Sequence, residues 1–101
     1  MEYLYILHSL KGKKFYVGIS NNPWSRLEQH NSSDRNTFTS KYRPWQLKAV
    51  FKIIEGPYSA NYLEKFIKQQ KSRSLILKLI EEDFIPTGKL AQLVRVPHVR
   101  D

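Results

Sequence analysis

Cysteine is absent from the 101 residues, which excludes a disulfide scaffold and any thiolate metal site and fits a reducing compartment. No apolar run approaches the ~18 residues that a membrane span needs. The N-terminus has Glu2 where a secretory signal would place basic residues ahead of an apolar stretch. A cytoplasmic protein with no membrane partner is the expectation. Acidic residues are scarce, 9 against 17 Lys and Arg, for a net charge of +8. That imbalance favours an anionic partner such as nucleic acid or an acidic membrane surface, and the sign alone does not choose between them. There is no detachable basic tail, because residues 1–55 hold nine basic and four acidic residues and residues 56–101 hold eight and five. No internal repeat or low-complexity stretch appears, and the length suits a single domain over residues 1–101.

What is present begins with two strands. Residues 3–7 (YLYIL) and 14–19 (KFYVGI) are aromatic and branched, with Lys11-Gly12-Lys13 between them, so they read as a β-hairpin. Alternation puts Tyr3, Tyr5 and Leu7 on one face, and Tyr16, Gly18 and Ser20 on one face. Tyr5 and Tyr16 then fall directly or diagonally opposite, giving a patch of two phenols if both point the same way. Asn22 suits an N-cap and Pro23 the first helical position, which starts a helix running to about His30. Arg26 and His30 share a face of it, and Trp24 and Leu27 are its expected buried stripe. Residues 31–40 (NSSDRNTFTS) read as a polar loop, and a third strand is expected over about 46–54, closed by Gly56-Pro57. Ser59 can cap a second helix in which Tyr62, Leu63, Phe66 and Ile67 make an apolar stripe. Ser72 or Ser74 can start a third, carrying Leu75, Ile76, Leu79 and Ile80. Residues 87–101 have no clear period, but Leu90, Leu93, Val94 and Val96 suggest a segment packed on the body. The fold expected is α/β, a three-stranded, mainly antiparallel sheet flanked by helices in the order β-β-α-β-α-α.

Phenol, guanidinium, imidazole and carboxylate are together the groups that hold a phosphodiester, activate a water and bind a divalent cation. Their order here resembles the GIY-YIG nuclease family, in particular small members similar to the nuclease module of the excision repair endonuclease subunit. Tyr3-Leu4-Tyr5 stands where that family has its first triplet and Tyr16-Val17-Gly18 where it has the second. Arg26 and His30 match its helix-borne arginine and histidine, and Glu64 matches its metal-binding glutamate. Two departures are Tyr3 in place of a glycine and Val17 in place of isoleucine; neither removes a chemical group. The resemblance implies a metal-dependent endonuclease acting on DNA, in repair or recombination. Its catalytic residues would be Tyr5, Tyr16, Arg26, His30 and Glu64, with Glu64 holding Mg²⁺ or Mn²⁺. Arg26 would clamp the scissile phosphate and Tyr5, ahead of His30, would be the general base, with Tyr16 orienting water or phosphate. Larger members carry a separate DNA-recognition domain that has no counterpart here, so specificity would come from a protein partner. Lys14, Lys41, Arg43 and Lys48 are candidate phosphate contacts, provided that they share the active face.

Plainer readings stand beside these. The tyrosines could be ordinary strand aromatics, and Arg26 and His30 a solvated helix face. Glu64 could serve only a helical ion pair with Lys68, four residues on. His8 and His98 match no family position. The rival functions are a binding module of the same fold without efficient turnover, and an RNA binder that stacks bases on exposed sheet aromatics.

Overall fold

A computed structural model describes residues 1–32 and 38–97. Among the described residues the elements are, in order, β1 (Tyr3–Ser9), β2 (Phe15–Ser20), α1 (Pro23–Ser32), α2 (Phe38–Lys41), β3 (Trp45–Ile53), α3 (Ala60–Gln70), α4 (Arg73–Leu79), a 3₁₀ turn (Gly88–Leu90) and β4 (Leu93–Arg95). The strands form a sheet of order β2-β1-β3-β4, antiparallel throughout. The α/β class and the antiparallel pairing agree with the sequence; the strand count is corrected from three to four by β4. The segment expected to pack on the body thus joins the sheet, its three residues pairing with Phe51 to Ile53.

In the hairpin turn Lys13 adopts the left-handed conformation, with φ 52°. Gly12 is needed for space: a Cβ there would lie 2.7 Å from the Tyr42 ring. Ser9 organises the turn, its Oγ accepting from the Gly12 N–H at 2.9 Å and donating to the Tyr42 carbonyl at 2.6 Å.

Both faces of the sheet are covered. Leu4, Ile6, Val17, Ala49 and Phe51 pack with Leu63, Ile67 and Leu79 of α3 and α4. Tyr5, Leu7, Trp45, Leu47 and Val50 form the opposite core, against which Leu27 of α1, Tyr16 and Tyr42 are packed. Strand β1 lies between β2 and β3, which explains why Leu4 to Leu7 are all buried instead of alternating with exposed residues. A register shift where β1 meets β3 pairs Leu7 with Leu47 and Ile6 with Ala49, leaving Lys48 as the extra residue of a bulge.

The expected helix starts hold. The Asn22 side chain accepts from the Ser25 N–H at 3.1 Å, Ser59 from Tyr62 and Ser72 from Leu75. The expected stripe of α1 needs correction. Trp24 is 39% exposed, edge-on to Tyr3, and the buried residues of this helix are Pro23 and His30. Spacings of four and three, from Pro23 through the half-buried Leu27 to His30, make the seam that faces the sheet. The loop expected over 31–40 lies partly outside the described residues, at 33–37, and its flanks are helical.

Candidate active site

The site lies at the free side of β2, where the two helical layers meet round an edge strand. Tyr5 pairs with Gly18 and Leu7 with Tyr16, so the two phenols are diagonal neighbours, with ring centroids 6.3 Å apart. Gly18 makes room for them: a Cβ at this position would lie 2.6 Å from both Cζ and Oη of Tyr5 and 3.0 Å from the Tyr16 ring. The glycine of the second triplet is therefore a requirement of phenol packing.

Helix α1 brings His30 onto the same face. Its Nε2 is 3.1 Å from the Tyr5 hydroxyl, and its ring lies 4.8 Å from that of Tyr16. The end of α1 is held by two contacts. Asn31 donates from Nδ2 to the Trp45 carbonyl at 3.1 Å and accepts from the Trp45 N–H at 2.7 Å, pairing like a short length of strand. Arg43 donates from Nε to the His30 carbonyl at 2.8 Å.

Glu64 comes from the other layer. Leu63 and Ile67 fix α3 over the opposite core, and the adjoining flank of the helix, with Glu64 and Lys68, turns towards the β2 edge. Lys68 Nζ stands 5.3 Å over the Tyr16 ring and 3.2 Å from Glu64 Oε2. The Glu64 side chain keeps 21% of its surface exposed.

The electrostatics show the same convergence. Burial pushes the Tyr5 phenol up to about 12, Tyr16 and Glu64 add to the rise, and the charge and hydrogen bond of Arg26 oppose it. Burial first, and the Arg26 charge second, hold His30 down to about 4. Both are neutral near pH 7. All five residues singled out in the sequence thus lie in one neighbourhood. Tyr5 is fully buried, His30 is 8% exposed, and Arg26 opens to solvent.

The candidate phosphate contacts divide. Lys14 stands 5.2 Å over the Tyr42 ring, on the phenol side, and Lys41 is exposed at the end of α2. Arg43 is engaged with the His30 carbonyl. Lys48 is the exception to the expected shared face. The bulge sets it beside His8, whose ring packs on Phe15 of the opposite core and whose basicity is lowered by burial and by the charges of Lys48 and Arg73. His98 lies outside the described residues. Asn31, Gly18 as a spacer, and Lys68 beside Tyr16 were not singled out from the sequence as parts of the site. The i, i+4 spacing of Glu64 and Lys68 was the signal for the last.

Comparison with known proteins identifies the family. The model of the GIY-YIG catalytic domain matches residues 1–76. The chain belongs to the GIY-YIG family. Among curated relatives, the structure-specific endonuclease subunit SLX1 of Debaryomyces hansenii is 42% identical over 50 residues, 44% of this chain and 14% of that protein. Its namesake from Pyrenophora tritici-repentis is 33% identical over 64 residues, 59% of this chain and 18% of the relative. The matched region therefore spans less than a fifth of either relative. The GIY-YIG match ends within α4, so the last part of α4, the 3₁₀ turn and β4 lie beyond it. Among the described residues no helix is long and apolar enough to cross a membrane.

Proposed function

We propose that this protein is a divalent-metal-assisted endonuclease that hydrolyses DNA phosphodiester bonds, with branched DNA of repair or recombination as its substrate. One observation carries the reading. Glu64, from the layer opposite α1, is paired with Lys68, whose ammonium stands over the Tyr16 ring beside the Tyr5–His30 pair, and the Glu64 charge is felt at the Tyr5 phenol. The family match and the names of the two relatives support the reaction class. Their designation as subunits supports a protein partner that supplies specificity.

Glu64 is the residue that would hold the metal. Among the described residues no group of three or more His, Cys, Asp or Glu side chains could do so. A single hard carboxylate, partly open to solvent, suits Mg²⁺ or Mn²⁺, with waters and phosphate oxygens completing the shell. When bound, such an ion supplies Lewis-acid stabilisation of the phosphoryl and leaving oxygens.

The chain's own groups divide the remaining work. Arg26, exposed above the phenols, takes the scissile phosphate in a bidentate grip and stabilises its developing charge. Tyr16 orients the attacking water. Tyr5, neutral and hydrogen-bonded to a neutral imidazole, takes the water's proton at Oη as its own proton moves to His30 Nε2. This relay answers the difficulty of a phenol with so high a pKa, because no free phenolate has to form.

The burial of Tyr5 also counts against base stacking on that ring. Incubating supercoiled plasmid or branched DNA with the protein and Mg²⁺ tests the proposal. Nicking is expected with the native protein, none in EDTA, and none with Glu64→Ala at undiminished DNA binding. Binding without nicking by the native protein would instead assign a non-catalytic module.

A further inference from the structure

The Glu64 carboxylate already has a cation. Lys68 Nζ donates to Oε2 at 3.2 Å, and the same nitrogen stands 5.3 Å over the Tyr16 ring, so it occupies the mouth of the candidate site. Its side chain is 47% exposed against 21% for Glu64, which makes the ammonium the outer partner. An ion pair one helical turn apart and open to water is weak, so it parks the carboxylate without locking it. The lysine stem is long and flexible, and the Tyr16 ring offers the ammonium a second resting place. A divalent ion and an ammonium repel one another and cannot share one carboxylate oxygen at full strength.

We propose that Lys68 is the built-in counter-ion of the metal seat. It neutralises Glu64 in the metal-free protein, competes with the divalent ion for the carboxylate, and is driven from it when the ion binds. This rests on Glu64 being the metal ligand. Lys68 acts here through Glu64 and is a positioning residue. The free protein therefore has a weakened grip on metal, and displacement leaves an ammonium at liberty beside Tyr16.

The test is Mn²⁺ binding to the full chain without DNA, read from the loss of the free-ion signal in electron paramagnetic resonance. Lys68→Met should bind Mn²⁺ about two- to fivefold more tightly than the native protein, with the gap narrowing as salt is raised. Lys68→Arg, which keeps the charge, should stay close to the native value. A purely structural ion pair would alter the melting temperature and leave Mn²⁺ affinity unmoved; unchanged or weaker binding by Lys68→Met overturns the proposal. Glu64→Gln separates the two layers of the argument. If it binds Mn²⁺ like the native protein, the metal seat is misassigned and the functional reading falls with it. If it loses binding while Lys68→Met is unaltered, only the counter-ion role fails.

Discussion

Replacing Gly18 with alanine should cost far more activity than a methyl group on a strand ordinarily would. The added Cβ would stand 2.6 Å from Cζ and Oη of Tyr5, whereas carbon atoms in contact rest at about 3.5–4.0 Å. Tyr5 is fully buried, with the sheet behind it and His30 hydrogen-bonded to its hydroxyl, so the ring must shift by roughly 1 Å or the strand must bend. Overpacking of this kind costs about 1–3 kcal/mol of stability. A displacement of ~1 Å in a catalytic group costs on the order of 10²-fold in rate. Melting curves measure the first, and initial rates of plasmid nicking measure the second. In Tyr5→Phe the ring carbon at 2.6 Å remains but the hydroxyl does not, so Gly18→Ala should still destabilise that variant, though less, while lowering its residual activity little further. Nicking within a few-fold of native by a folded Gly18→Ala protein would refute the claim that this glycine sets the phenol's position.

Acid should destabilise the fold through His30. The unfolded chain binds a proton there below about 6.5, but the folded protein does so only below about 4. Between those values the unfolded state holds the extra proton, so stability falls as pH falls, by up to about 3 kcal/mol. Urea titrations at pH 7 and pH 4.5 should show the loss, and His30→Gln should flatten it; equal slopes would count against the buried neutral imidazole. Asn31→Ala strips both hydrogen bonds from the Trp45 backbone and should cost about 1–3 kcal/mol. It should also slow nicking by loosening the end of α1 that carries His30, and native-like unfolding would show that these bonds are dispensable.

The hairpin, the capped helices and the third strand were readable because each has a local cause: aromatic and branched runs on either side of Lys11-Gly12-Lys13, and side-chain caps at Asn22, Ser59 and Ser72. The fourth strand had none. Three residues show no period, and what fixes them is remote. Gln92 donates from Nε2 to the Ile54 and Tyr58 carbonyls and accepts at Oε1 from the Tyr58 N–H. Arg95 lies 4.8 Å over the Phe51 ring and donates to the Leu79 and Glu81 carbonyls at the end of α4. Trp24 was misplaced because helical spacing leaves two faces open, and the position of the sheet decides between them. The five candidate site residues come from the family resemblance, since residue type alone leaves strand aromatics, a solvated helix face and a helical ion pair as equal readings. Their meeting point depends on β2 being the edge strand, a property of topology that no local pattern encodes. Whether Lys48 shares the phenol face was likewise open in the sequence, because it depends on how β3 registers against β1.

The convergence of Glu64 with the hairpin phenols and the α1 histidine is most directly tested by Mn²⁺ added at substoichiometric levels to the ¹H–¹³C aromatic spectrum of the metal-free protein. Paramagnetic broadening should reach the Tyr16, Tyr5 and His30 rings first and spare Tyr58, which lies beyond the N-terminal end of α3, with Glu64→Gln abolishing the selectivity. Broadening that spreads evenly over all the rings, or leaves Tyr16 and His30 sharp, would contradict a single metal-assisted site.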